Sequence, residues 1–113
     1  MLRNSLVGLV FLFAAVGCGN GVGNDGAAVG GSCTVSSDCE QLSRCLTGVD
    51  WPGGMCTLSC DTTADCAEGS VCVESEGGVC VVDCAECRGD EGYGCVEYEA
   101  RGASGTVMGC GLE

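Results

Sequence analysis

With 113 residues the chain has room for one domain or a few very small ones. Thirteen cysteines, no histidine, and sixteen acidic residues against four basic ones give a formal net charge of −12. That balance excludes histidine-dependent nucleophilic catalysis, and a surface so acidic repels phosphate backbones, so nucleic-acid binding is not expected.

The chain opens with Met1-Leu2-Arg3-Asn4-Ser5, a short stretch with one positive charge, followed by twelve uninterrupted apolar residues at 6–17. A bilayer span needs about 20 apolar residues, so this reads as the helical core of an export signal peptide, residues 1–17. The run Ala15-Val16-Gly17-Cys18 resembles the lipobox of bacterial lipoproteins, with Ala15 where Leu is usual. That resemblance implies that Cys18 becomes the first mature residue and carries thioether-linked lipid. Ala15-Val16-Gly17 also satisfies the small-x-small rule of conventional signal cleavage, but parity favours lipidation. An exported protein should not keep a spare thiol, and setting Cys18 aside leaves twelve cysteines that can all pair. Gly19 stands where Asp is the retention signal of the enteric inner membrane, which points to the outer membrane.

Residues 19–32 hold six glycines and no cysteine. With Cys18 they form the expected second segment, 18–32, a flexible tether reaching about 20 Å. The remaining segment, 33–113, is the cysteine-rich module. Its cysteines fall into three units of four: Cys33, Cys39, Cys45 and Cys56; Cys60, Cys66, Cys72 and Cys80; Cys84, Cys87, Cys95 and Cys110. The first three cysteines of units 33–56 and 60–80 are offset by 27 residues, and three-residue linkers join successive units up to the third, 84–110.

Each unit pairs a polar turn with a β-hairpin. Ser36-Ser37-Asp38-Cys39 aligns with Thr63-Ala64-Asp65-Cys66 as a turn. Hairpins are predicted from Arg44-Cys45-Leu46 with Met55-Cys56-Thr57, from Val71-Cys72-Val73-Glu74 with Gly78-Val79-Cys80-Val81, and from residues 93–98 with residues 106–110. In the first of these, Trp51-Pro52-Gly53-Gly54 carries the Pro-Gly signature of a type II turn. The fold class expected is therefore a small disulfide-rich domain with little regular structure. Beyond residue 17 the aromatic residues are Trp51, Tyr93 and Tyr98 and the aliphatic ones are mostly scattered valines, too little for a core to suffice alone. Six disulfides at about 2–4 kcal/mol each offset that deficit. Direct cross-strand bridges are often strained, which favours first-to-third and second-to-fourth pairing, although three pairings per unit stay open.

The spacing Gly31-Ser32-Cys33-x5-Cys39-x5-Cys45, the Trp51-Pro52-Gly53-Gly54-x-Cys56-Thr57 turn and the Asp65-Cys66-x5-Cys72 unit resemble cysteine-rich lipoproteins of myxobacteria and related deltaproteobacteria. Those proteins are similar to the Dickkopf N-terminal cysteine-rich region. The likeness covers residues 31–95; unit three departs from it at Cys84-Ala85-Glu86-Cys87. It implies location and class without an activity.

No enzyme is expected, since neither His nor Lys is present and nothing places two carboxylates across a cleft. Cys84 and Cys87 have zinc or redox spacing but lack the second pair or the strand–helix context, so no metal and no cofactor are expected. Asp83, Glu86, Asp90 and Glu91 read as a solvated acidic face, without the loop pattern of a calcium site. Arg88-Gly89-Asp90 is a chance tripeptide in a Gly- and Asp-rich chain. Trp51, at a turn, is the candidate contact residue, either exposed as an aromatic anchor or covering a cystine. The expected function is thus an exported, lipid-anchored, monomeric module at the cell envelope that binds an envelope protein or a glycan. The alternative is a secreted or anchored protease-inhibitor-like protein presenting loop 48–54.

Overall fold

The computed structural model describes residues 21–113; the expected signal peptide and Cys18 lie outside the described residues. Within them there is no α-helix, and three antiparallel hairpins carry the regular structure. Strand β1 (Arg44–Leu46) pairs with β2 (Met55–Thr57), β3 (Ser70–Val73) with β4 (Val79–Val82), and β5 (Tyr93–Glu99) with β6 (Thr106–Leu112). This is the small disulfide-rich fold that the cysteine spacing predicts, with one hairpin in each four-cysteine unit.

In every hairpin the two cysteines are register partners: Cys45 faces Cys56, Cys72 faces Cys80, and Cys95 faces Cys110. None of these facing pairs is bonded. The bonds run back to the preceding turn, Cys33–Cys45 with Cys39–Cys56, Cys60–Cys72 with Cys66–Cys80, and Cys84–Cys95 with Cys87–Cys110. Each hairpin is thereby clamped by both strands onto the segment before it.

The turns of the first two units are built alike, residue for residue. Asp38 Oδ2 accepts from the backbone N–H groups of Thr34 and Val35 at 2.9 and 3.2 Å. Asp65 Oδ2 does the same with Asp61 and Thr62 at 2.9 and 3.3 Å. The hydroxyl of Ser36 then accepts from Cys45 N–H, and that of Thr63 from Cys72 N–H. The aspartates satisfy backbone donors at the start of each 3₁₀ turn, and Ser36 and Thr63 tie the turn to the strand that follows.

Period-two alternation in the β3–β4 hairpin divides the interior in two. Cys72, Cys80 and Val82 pack with Ala28, Val29, Cys60 and Cys110. Val73, Val79 and Val81 pack with Leu46, Trp51, Met55 and Tyr93. Strand β4 is buried at all four positions, so the valines that look scattered in the sequence converge on one central hairpin.

The tether reading is corrected for residues 21–32. Val29 is fully buried and Ala28 nearly so. Gly30 N–H donates to Cys56 C=O at 2.8 Å and Cys56 N–H to Gly31 C=O at 2.9 Å, so residues 30–31 are hydrogen-bonded to β2. Ala27 C=O accepts from Glu40 N–H, and Ala28 C=O from the Ser43 hydroxyl. Gly30 shows why glycine was needed: its φ is +106°, and a Cβ there would collide with the Gly23 carbonyl and the Val82 side chain. Glycine-rich composition here permits close docking rather than freedom.

Three arginines lie in the described chain, and each ties together a different pair of units. Arg44 of unit one donates to Glu76 C=O of unit two. Arg88 of unit three is buried, donates to Gly54 C=O of unit one, pairs with Glu91 at 2.6 Å and lies 4.8 Å from the Tyr93 ring centroid. Arg101, also of unit three, pairs with Glu74 at 2.8 Å and Asp61 at 3.5 Å, both of unit two.

Candidate binding cleft

The three units meet around an open cleft of about 270 Å³ lined by Asp50, Trp51, Ser75, Glu76, Val96, Tyr98 and Leu112. Unit one supplies the first two residues, unit two the next two, and unit three Val96 and Tyr98, with Leu112 from the end of its strand β6.

Unit one's contribution depends on the turn that the sequence announces. Gly54 N–H donates to Trp51 C=O at 2.9 Å and Gly53 has φ +78°, as a Pro-Gly type II turn requires. The turn folds inward. Tyr93 Oη–H donates to Pro52 C=O at 3.0 Å, Arg88 reaches Gly54 C=O, and the Trp51 Nε1–H donates to Glu76 Oε2 at 3.1 Å. Trp51 is only 5 % exposed and packs among Leu46, Met55 and the β3–β4 valines. The exposed-anchor reading of Trp51 is therefore overturned: the apolar indole gains more from the interior, and only its lining of the cleft remains available to a ligand.

On the opposite wall Tyr98 sits half-buried on β5, its Oη–H donating to Cys110 C=O at 3.0 Å across the hairpin. Burial, reinforced by the nearby Tyr93, pushes its phenol up to about 12, so it stays a neutral hydrogen-bond donor. Val96 and Leu112 add apolar surface beside it, Leu112 being 43 % exposed. Asp50 and Glu76 supply two carboxylates, and among the described residues no cation forms a salt bridge with either. Arg44 approaches Glu76 through its backbone carbonyl only. The site thus combines an apolar wall with uncompensated negative charge at its rim.

The other sequence-derived candidates lie elsewhere. All twelve cysteines from Cys33 to Cys110 are disulfide-bonded, and Cys18 lies outside the described residues. The sulfurs of Cys33, Cys39 and Cys56, and of Cys60, Cys66 and Cys80, lie within 4.8 Å of one another, but as disulfide sulfurs they offer no thiolate to a metal. Glu91 is engaged by Arg88, and Asp83 Oδ1 caps Ala85 N–H. In Arg88-Gly89-Asp90 the arginine is interior. Loop 48–54 is exposed at residues 48–50, where Val49 is 88 % exposed, and turns inward from Trp51. Glu76, Tyr98, Val96 and Leu112 were not singled out from the sequence. One signal was present for Glu76: a charged residue directly before Gly77-Gly78 in a tight hairpin turn, where it takes φ +54°.

No protein-family model, curated protein or solved structure matches this chain, which stands as a small cysteine-rich, disulfide-stapled domain.

Proposed function

We propose that this chain is an envelope-anchored lipoprotein whose cystine-stapled module serves binding or structure rather than catalysis. One observation carries the anchor. Thirteen cysteines are present and the twelve from Cys33 to Cys110 bond to one another, so no cysteine of the described chain remains to partner Cys18. Six disulfides also belong to an oxidising, extracytoplasmic compartment. The lipobox resemblance at residues 15–18 and the lipoprotein resemblance over residues 31–95 support the same reading, and Gly19 favours the outer membrane. Because residues 21–32 are part of the fold, only Gly19 and Asn20 would separate Cys18 from it, a span of at most about 10 Å. The module would then sit close against the lipid, as a monomer, facing an envelope protein or glycan without cofactor or metal.

Intact mass before and after reduction tests this. Six disulfides give a gain of about twelve mass units on reduction. Acylation gives a separate increment on the N-terminal peptide that reduction leaves in place and that Cys18→Ser abolishes. An unacylated mature N terminus would refute the anchor.

A second reading, a protease-inhibitor-like protein, rests on Val49, exposed at 88 % on a loop whose two flanking strands are each held by a disulfide. Inhibition of a protease panel that Val49→Asp abolishes would favour it; no inhibition by the wild type would remove it.

A further inference from the structure

We infer that the three-unit cleft receives a lysine or arginine side chain of a basic partner polypeptide. The inference rests on the binding-module reading but not on the lipid anchor. At about 270 Å³ the cleft falls just below the range of about 300–1,000 Å³ usual for small-molecule sites, and suits one long side chain better than a cofactor. Its chemistry is graded as such a side chain is. Tyr98, Val96, Leu112 and the edge of Trp51 meet an aliphatic stem, while the Asp50 and Glu76 carboxylates meet the charged head.

Charge across the rest of the molecule points the same way. The three arginines of the described chain are committed to unit–unit contacts, and the chain has no lysine. Its acidic field attracts a basic chain from a distance and repels an acidic one. An acidic surface alone would attract any cation; apolar side chains lining the same cleft as the two carboxylates are what select a cation carried on an aliphatic stem.

The chain has a single tryptophan, and it lines the cleft, so its emission reports occupancy directly. The protein with its native N terminus would be titrated with a terminally blocked pentapeptide whose single charge is a central arginine, and with the same peptide carrying citrulline. A saturable change in emission is expected with arginine, about tenfold weaker with citrulline, as for loss of the ion-pair contacts. Asp50→Asn and Glu76→Gln should each weaken binding about tenfold; the glutamine oxygen still accepts from Trp51, so the fold is kept. Glu68→Gln, exposed and outside the cleft, should change binding less than twofold. Calorimetric titration of the same variants removes any dependence on altered emission.

The inference is overturned by equal binding of the citrulline peptide, by no saturable response, or by a Glu68→Gln loss as large as that of Asp50→Asn. Equally tight binding of free butylammonium would overturn the polypeptide partner in favour of a small amine. None of these outcomes bears on the mass of the N-terminal peptide, so the two readings fail separately.

Discussion

The indole N–H of Trp51 and the carboxylate of Glu76 meet at 3.1 Å and join the loop of the first unit to the turn of the second. Removing the ring removes both that bond and the largest apolar side chain of the cluster around Val73, Val79 and Val81. Trp51→Ala is therefore expected to cost about 3–5 kcal/mol. Trp51→Phe keeps much of the apolar contact and leaves Glu76 free to hydrate, so it should retain most of the stability. Denaturant unfolding with the disulfides intact, followed by circular dichroism, separates the two. Equal, near-zero losses would return Trp51 to the surface.

The docking of residues 21–32 makes a second prediction. A free tether tolerates almost any substitution. Here Val29→Ala should cost about 2 kcal/mol for a buried aliphatic truncation. Gly30→Ala should cost more than the usual glycine-to-alanine change, because its φ is +106° and the space is occupied by the Gly23 carbonyl and Val82. Amide exchange checks this without mutation: the Gly30 and Cys56 N–H groups, both bonded across the segment, should be protected, and a rapidly exchanging Gly30 would restore the tether.

These residues mark where sequence was informative and where it was not. Cysteine spacing located the hairpins to within one or two residues, because each strand must present a cysteine to the turn before it. The repeat at 27 residues carried the Asp38 and Asp65 turns as well. Docking of residues 21–32 was hidden, because its bonds run through backbone groups that leave no side-chain pattern. The cleft was hidden for another reason: Asp50, Glu76 and Tyr98 come from three units, and only the tertiary arrangement brings them together. Arg88 looked like part of a surface tripeptide, since nothing local announces that Gly54, 34 residues earlier, will accept its hydrogen bond.

Arg88 and Arg101 should differ in what they contribute, although both form ion pairs. Arg88 is 8 % exposed and serves a carbonyl, a carboxylate and an aromatic ring at once. Arg88→Ala should cost about 2–3 kcal/mol, the range for hydrogen bonds to a charged group that are lost in the interior. Arg88→Lys should recover little, because an ammonium lacks the planar fork. Arg101 is 32 % exposed and its partner Asp61 is 86 % exposed. Arg101→Ala should cost far less than Arg88→Ala, and less still in high salt, because solvent already screens the pair. Thermal unfolding at low and high ionic strength measures both; equal losses at the two sites would contradict the buried role of Arg88.

The alkaline limit of the fold follows from its two tyrosines. Burial raises both phenols, Tyr98 to about 12 and Tyr93 less far because the Arg88 charge opposes the shift. Each folded value lies above the unfolded one of about 10, so folding holds the proton more tightly than the unfolded chain does. The stability this reflects is fully present below pH about 10 and is lost as pH rises through the folded values. A rapid pH-jump titration of phenolate absorbance should show no tyrosine ionising at its ordinary value in the native protein, and both doing so in denaturant. Tyr98→Phe should delete the higher step and, by breaking the bond to Cys110 C=O, loosen the β5–β6 hairpin at neutral pH. A native titration with both phenols at their ordinary value would mean that Tyr98 is solvated, and the cleft would lose the wall on which an aliphatic stem is to lie.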